Sequence, residues 1–244
     1  MVATPGLSWS CELTRCPPGW KPLIMLEELG VDYDLREISF SKKEQKEEWY
    51  MQLNPNGRIP TIVDRGNDDF AVFESGAILI YLAEKYQQFL PTDPKLKSET
   101  LQWLMFQMSG IGPIMGQAMY FQRIAAPAGH NDEFAINRFV TESRRLLEVL
   151  DKRLAGREYL VGNEFTIADI ATYPWARSFY WARVSVDGLD NLQAWFARID
   201  ARPATQRALE KPHPFPAFFG KGDVATSEAA NAERFKSDVQ TVAK

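Results

Sequence analysis

Cysteine and histidine are the scarcest reactive residues in this chain, with two of each in 244 residues. Cys11 and Cys16 build no disulfide framework and no CxxC pair. His130 and His213 stand too far apart to suggest a metal motif, so no metal is expected. An excess of positive charge is also missing. The 28 Lys and Arg face 32 Asp and Glu, for a net charge of −4 and a pI near 5.4. That balance argues against nucleic acid or an acidic membrane as partner, since either calls for a basic face. No apolar run reaches the roughly 18–20 residues of a bilayer-spanning helix. Met1-Val2-Ala3-Thr4-Pro5-Gly6 has neither a basic start nor an apolar core, so no signal peptide is expected and a reducing, cytoplasmic home is the simple reading. Internal repeats and low-complexity segments are absent too. What is present is 45% hydrophobic residues, ample for the core of one large or two small domains.

Taken in order, residues Met1 to Ser8 read as a loose leader. Trp9, Cys11 and Leu13 alternate with Ser10, Glu12 and Thr14, predicting a first strand. Cys16-Pro17-Pro18-Gly19 reads as a turn, and a helix is predicted from about Trp20 to Leu29, closed by Gly30. In that reading Pro22 falls in the first turn, where its missing N–H is harmless. Val31, Tyr33 and Leu35 mark a second strand, parallel to the first by the crossover rule. A polar helix follows from about Lys43 to Met51. Gln87 to Lys97, with two prolines and no helical period, reads as a linker. Beyond it the pattern is helical almost throughout. Thr100 to Ala125 reads as a helix pair kinked or broken at Gly110-Ile111-Gly112-Pro113. Phe134 to Leu154 carries an apolar stripe of Phe139, Leu146, Leu147, Leu150 and Leu154. Thr166 and Asp169 read as a capping box opening a helix to about Ala182. Two shorter helices, about Leu189 to Ala201 and Ala204 to Leu209, precede a proline- and aromatic-rich stretch from Lys211 and a polar tail.

The richest stretch is Asn54 to Tyr86. A turn, Asn54-Pro55-Asn56-Gly57, leads to Ile59-Pro60 and to two short strands, Thr61–Val63 and Phe70–Phe73. Glu74-Ser75-Gly76 then opens a helix with Ile78, Leu82 and Tyr86 on one face. A serine among the free N–H groups of a helix start suits an anionic ligand group, and the adjacent glutamate suits a cationic one. Together they suit the head of an α-amino acid.

These residues resemble the cytosolic glutathione transferases, in detail the Nu class and the related fungal nitrogen-regulator class. The motifs are Asn54-Pro55-Asn56-Gly57-Arg58-Ile59-Pro60, Phe73-Glu74-Ser75-Gly76-Ala77-Ile78, Gly110-Ile111-Gly112-Pro113-Ile114-Met115-Gly116-Gln117 and Phe165-Thr166-Ile167-Ala168-Asp169-Ile170. The resemblance runs from about Trp9 to about Leu209. It implies a thioredoxin-like βαβαββα domain over residues 1–88 and an all-helical domain with a C-terminal extension over residues 98–244. It also implies glutathione as co-substrate, a small electrophile or disulfide as second substrate, and a homodimer.

For the site, the resemblance implies a cis bond at Ile59-Pro60 that turns the Ile59 backbone outward to pair with the cysteinyl main chain of glutathione. It implies Ser75 and the helix N–H groups on the γ-glutamyl carboxylate, and Glu74 on the amino group. Gln45 would reach the glycyl end, Arg58 would add charge for the glycyl carboxylate, and Arg138 would approach near the domain junction. Gln117, Tyr120, Phe121, Trp175 and Phe179, with Trp181, are candidate walls for the second substrate. For each of these, an ordinary surface or core role stands as the alternative.

The chain departs from the matching Thr-Pro-Asn-Gly pattern at Cys16-Pro17-Pro18-Gly19. The asparagine donor is lost and the hydroxyl has become a thiol. A cysteine before a helix start is expected to have a lowered pKa. Other classes of the superfamily place Cys-Pro there, where the cysteine attacks a glutathione mixed disulfide. Cys16 is therefore the candidate catalytic residue, with a small residue of no chemical role as the alternative and Thr14 as a rival hydroxyl. Cys11 reads as core. The resemblance implies a glutathione-dependent transferase or thiol–disulfide oxidoreductase. The alternative is a non-catalytic glutathione-binding regulator, although the long Asn/Gln-rich region of the fungal regulator has no counterpart here.

Overall fold

The computed structural model describes residues 9–13 and 16–212. Thr14, the leader and the tail after Pro212 lie outside the described residues. The first half is a four-stranded mixed sheet in the order β2-β1-β3-β4. β1 (Trp9–Leu13) runs parallel to β2 (Tyr33–Glu37) and antiparallel to β3 (Thr61–Asp64), which pairs antiparallel with β4 (Phe70–Phe73). The predicted parallel pair is present. All five residues of the inner strand β1 are buried, including Ser10 and Glu12, whose polar side chains bond each other at 2.5 Å.

Helix α1 (Pro17–Leu29) starts three residues ahead of the predicted start. Pro17 and Pro18 occupy its first positions, where a missing N–H costs nothing. The consequence is that Pro22 sits inside the helix rather than in its first turn. It has no N–H to offer the carbonyl of Pro18. The helix persists because its surroundings hold it: every residue from Trp20 to Glu27 is buried. Gly30 ends it at φ 64°, the left-handed cap the sequence predicted. The predicted polar helix is a 3-10 turn (Glu44–Lys46) followed by α2 (Glu48–Leu53).

Helix α3 (Ser75–Tyr86) leads to α4 (Pro94–Phe106), which begins inside the stretch read as linker and ahead of residue 98. Asp93 caps it, accepting from the N–H groups of Lys95 and Leu96, with Pro94 at the first position. The interruption expected at Gly110 to Pro113, as a kink or a break, takes the form of a π-helical turn. That turn, Gln107–Ile111, leads without a loop into α5 (Gly112–Tyr120), and a second, Phe121–Ala125, follows. Pro113 falls in the first turn of α5, where the helix tolerates it.

The rest is α6 (Glu133–Leu154), α7 (Ile167–Arg177), a 3-10 turn (Phe179–Ala182), α8 (Asp190–Asp200) and α9 (Pro203–Leu209). The α6 stripe faces inward at Leu146, Leu147, Leu150 and Leu154. α1 touches α3, α7 and α9 at once, so the sheet half and the helical half share one continuous core. Arg202 fastens the same seam. Its guanidinium forks onto Glu28 of α1 at 2.6 and 2.7 Å and lies 3.9 Å from the centre of the Phe165 ring.

Candidate functional site

The register of the sheet brings the predicted residues together. Glu12 pairs with Thr61, and Thr61 with Phe73. The end of β1, the start of β3 and the end of β4 therefore lie side by side. The three segments that leave this row are the approach to α1 through Cys16, the Ile59-Pro60 loop, and Glu74-Ser75 at the start of α3.

The loop is held from within. Asn54 Nδ2 donates to the Arg58 carbonyl at 2.6 Å, and the Tyr50 hydroxyl donates to the same oxygen at 2.8 Å. Asn54 Oδ1 accepts from Asn56 N–H at 3.0 Å, an Asx turn. Gly57 has φ 59°, and a Cβ there would meet Met51 Sδ at 2.7 Å and the Gln45 carbonyl at 2.8 Å, so only glycine fits. The Ile59-Pro60 bond is cis. Ile59 is half-buried, Arg58 is exposed, and Gln45 is half-buried with an Oε1 that has no partner among the described residues.

Glu74 occupies the N-cap of α3 at φ 67°, a region a residue with a side chain rarely adopts. Its carboxylate is exposed while Ser75 beside it is buried. Strained backbone of this kind concentrates where a side chain must be aimed.

Cys16 is the N-cap of α1 and is half-buried. The predicted fall in its pKa is not what the site produces. Burial pushes the thiol up to about 12, outweighing the Gly19 N–H and the charge of Lys21, which act in the opposite direction. Loss of water around the sulfur dominates the helix end. Cys16 is therefore a thiol at neutral pH. Cys11 is fully buried in β1, as expected of a core residue, and its thiol is pushed up by burial and then by Glu12.

Lys21 escaped the sequence reading. It is buried in α1, and its Nζ donates to Ser75 Oγ at 3.1 Å, Gln107 Oε1 at 2.5 Å and Met108 Sδ at 3.3 Å. Its one sequence signal is a lysine inside the apolar run Trp20 to Leu26, at a position the helix period buries.

The remaining predicted residues are placed less centrally. Arg138 is exposed on α6. Gln117 and Tyr120 are exposed on α5. Phe121 stacks on Phe139 with centroids 5.6 Å apart. Phe179 stacks on Phe196 of α8 at 6.0 Å, and Trp175 lies within 3.5 Å of where Gly112 and Gly116 would carry a Cβ. Phe179 and Trp175 thus take part in packing the helical half. Trp181 sits 6.3 Å from Trp20, centre to centre, bridging that half to the start of α1.

Residues 15–85 match the model of the glutathione S-transferase N-terminal domain, and residues 111–203 that of the C-terminal domain. The disulfide-bond oxidoreductase YfcG of Escherichia coli is 40% identical over 199 residues, covering 80% of this chain and 91% of that protein. The chain belongs to the glutathione S-transferase family. Glutathione S-transferase 1 of Schizosaccharomyces pombe is 38% identical, with 80% of this chain and 92% of that one covered. Among solved structures, a glutathione transferase of Burkholderia graminis superposes with a TM-score of 0.82 at 41% identity, covering 86% of this chain and 90% of that one. It holds two glutathione molecules per subunit. A transferase of Pseudomonas putida, solved with one glutathione disulfide per subunit, gives 0.80 at 41% identity, over 86% and 94% of the two chains. The thioredoxin-like sheet followed by a helical half is the architecture of this glutathione S-transferase family. No helix among the described residues is long and apolar enough to cross a membrane.

Proposed function

We propose that the protein is a glutathione-dependent transferase that works as a thiol–disulfide oxidoreductase. The observation that carries this is the meeting of Cys16, Ile59-Pro60 and Glu74-Ser75 at one end of the sheet. Relatives named for disulfide-bond oxidoreduction and neighbours crystallised with glutathione or its disulfide support it. In this reading the Ile59 backbone pairs with the cysteinyl segment. Ser75 and the first N–H groups of α3 take the γ-glutamyl carboxylate, and Glu74 takes the amino group. Gln45 and Arg58 serve the glycyl end, and Arg138 adds charge from α6. The second substrate, a small disulfide or electrophile, enters between the two halves beside Gln117, Tyr120 and Phe121. Trp175 and Phe179 support that wall by packing behind it.

The raised pKa of Cys16 favours one of its two possible roles. A thiol held to about 12 is a hydrogen-bond donor rather than a resting nucleophile. The attacking group is then the glutathione sulfur. Its thiolate attacks one sulfur of the disulfide, a new S–S bond forms, and the other sulfur leaves as a thiolate that takes a proton from solvent. Cys16 donates its S–H to the glutathione thiolate, as an oxyanion-type donor does. Cys16→Ser is expected to keep disulfide reduction by glutathione within about threefold, because a hydroxyl donates as well. Cys16→Ala is expected to lose about tenfold, the lower end for one donor because S–H is weak. Steady-state rates with a small disulfide check this. A loss beyond about a thousandfold in Cys16→Ser makes Cys16 the nucleophile instead. Glutathione binding without turnover of any disulfide or electrophile makes the protein a regulator.

A homodimer and a cytoplasmic location complete the proposal. Phe70, Leu96 and Met105 are large apolar residues left 40–51% exposed on β4 and α4, as a surface covered by a second copy would be. Sedimentation is expected to show twice the chain mass of 27.8 kDa, and a species at 27.8 kDa across micromolar concentrations overturns the dimer.

A further inference from the structure

Lys21 is the only buried basic side chain among the described residues. Its three partners are all acceptors: a hydroxyl oxygen, an amide oxygen and a thioether sulfur. An ammonium has three donors and no acceptor, so this surrounding matches the charged form. No carboxylate among the described residues touches it. A buried charge with hydrogen bonds but no carboxylate in contact is costly until an anion arrives. Two details point to where that anion sits. Because Lys21 donates to Ser75 Oγ, the serine hydroxyl must send its own proton elsewhere. Its other neighbour in the structure is Met108 Sδ, a weak acceptor at 3.7 Å. In addition, Gln107 is 1% exposed and gives its Oε1 to Lys21, which leaves its Nε2 without a partner among the described residues.

We propose that Lys21 is a positioning residue for glutathione, holding the Ser75 hydroxyl as a donor and supplying the charge that the γ-glutamyl carboxylate neutralises. This rests on the glutathione site proposed above. It also ties that site to the helical half, since Gln107 and Met108 belong to the π turn between α4 and α5.

The arrangement makes binding depend on pH. The groups facing Lys21 are Cys16 at the start of its own helix, Glu74 and Ser75 from α3, and Gln107 and Met108 from the π turn. Burial pushes its pKa down to about 7, against the opposing field of Glu74. A carboxylate bound at Ser75 raises it again. Between the free and bound values the complex holds more protons than the free protein, so binding takes up a proton there and affinity falls as pH rises above about 7.

The test is titration calorimetry with S-methylglutathione, whose blocked sulfur can release no proton, at about pH 8 in two buffers of different ionisation enthalpy. The wild-type protein is expected to take up more than half a proton on binding. Lys21→Met is expected to bind about 10- to 100-fold more weakly at about pH 6.5 and to show no uptake. The gap between the two proteins should shrink by about pH 9. In a cycle with Ser75→Ala, the two losses should be less than additive, because Lys21 acts through Ser75. If Lys21→Met does not fold, proton uptake by the wild-type protein and by Ser75→Ala still decides. Tight binding by the wild-type protein without proton uptake overturns the role of Lys21 and leaves the glutathione site standing. Absence of binding by the wild-type protein at any pH removes both.

Discussion

Asp169→Ala is expected to destabilise the protein by about 4 kcal/mol or more, enough to lower the melting temperature by about 8–16 °C. The carboxylate is fully buried. Its Oδ1 accepts from the Leu160 N–H and from Trp195 Nε1, both at 2.9 Å. Its Oδ2 accepts from the Thr166 N–H and hydroxyl, both at 3.1 Å. One side chain thus closes the capping box of α7 and joins it to the preceding loop and to α8. Alanine leaves four donors buried without partners, each costing about 1–3 kcal/mol. Urea denaturation of the wild-type and variant proteins checks it, and a loss below about 1 kcal/mol would remove Asp169 as the keystone of the helical half.

The same group has a pH signature. Burial raises its pKa to about 6 despite the four hydrogen bonds, against an ordinary value near 3.8. The folded state therefore holds this proton more tightly than the unfolded chain. The stability it contributes is complete below about pH 4 and is lost as pH rises through 6. The stability difference between wild type and Asp169→Asn should change over that window and flatten above it.

Removing both ends of the amino-acid clamp, with Glu74→Ala and Ser75→Ala combined, is expected to lower glutathione affinity by about 50- to 500-fold. Ser75 is buried and its hydroxyl would donate to a charged group, a bond worth about 1.5–3 kcal/mol, or roughly 10- to 100-fold. Glu74 is exposed, which weakens its ion pair with the ligand amine to about fivefold. Glu74 also sits at φ 67°. Glu74→Gly is therefore expected to relieve backbone strain and stabilise the free protein slightly while still losing affinity. Calorimetric titration with glutathione separates the two effects. An unchanged dissociation constant in the double variant means that glutathione lies elsewhere.

Much of this was legible in the chain because local rules and global fold agree. The Asn54 to Pro60 turn, the Gly30 cap and the Thr166–Asp169 box each depend on residues a few positions apart, and each formed as read. Misreadings came where packing overrides local preference. α1 begins at Pro17 and carries Pro22 in its interior because α3, α7 and α9 bury it on all sides. Gly110, Gly112 and Pro113 signalled a kink or a break. Gly112 and Gly116 instead let Trp175 lie close against α5, and the helix passes through as a π turn.

By itself the sequence determined which residues to propose for the site: Ile59-Pro60, Glu74, Ser75 and Cys16 are named by short motifs whose chemistry is local. Only the tertiary structure decided their electrical state. Nothing near Cys16 in the chain shows that its sulfur loses its water, and nothing near Lys21 shows that Ser75, 54 positions later, and Gln107, 86 positions later, close around its ammonium. Desolvation and long-range hydrogen bonds belong to the folded interior. They push the pKa of the Cys16 thiol up, against the fall expected from the helix end, and bring that of the lysine ammonium beside Ser75 down to about 7.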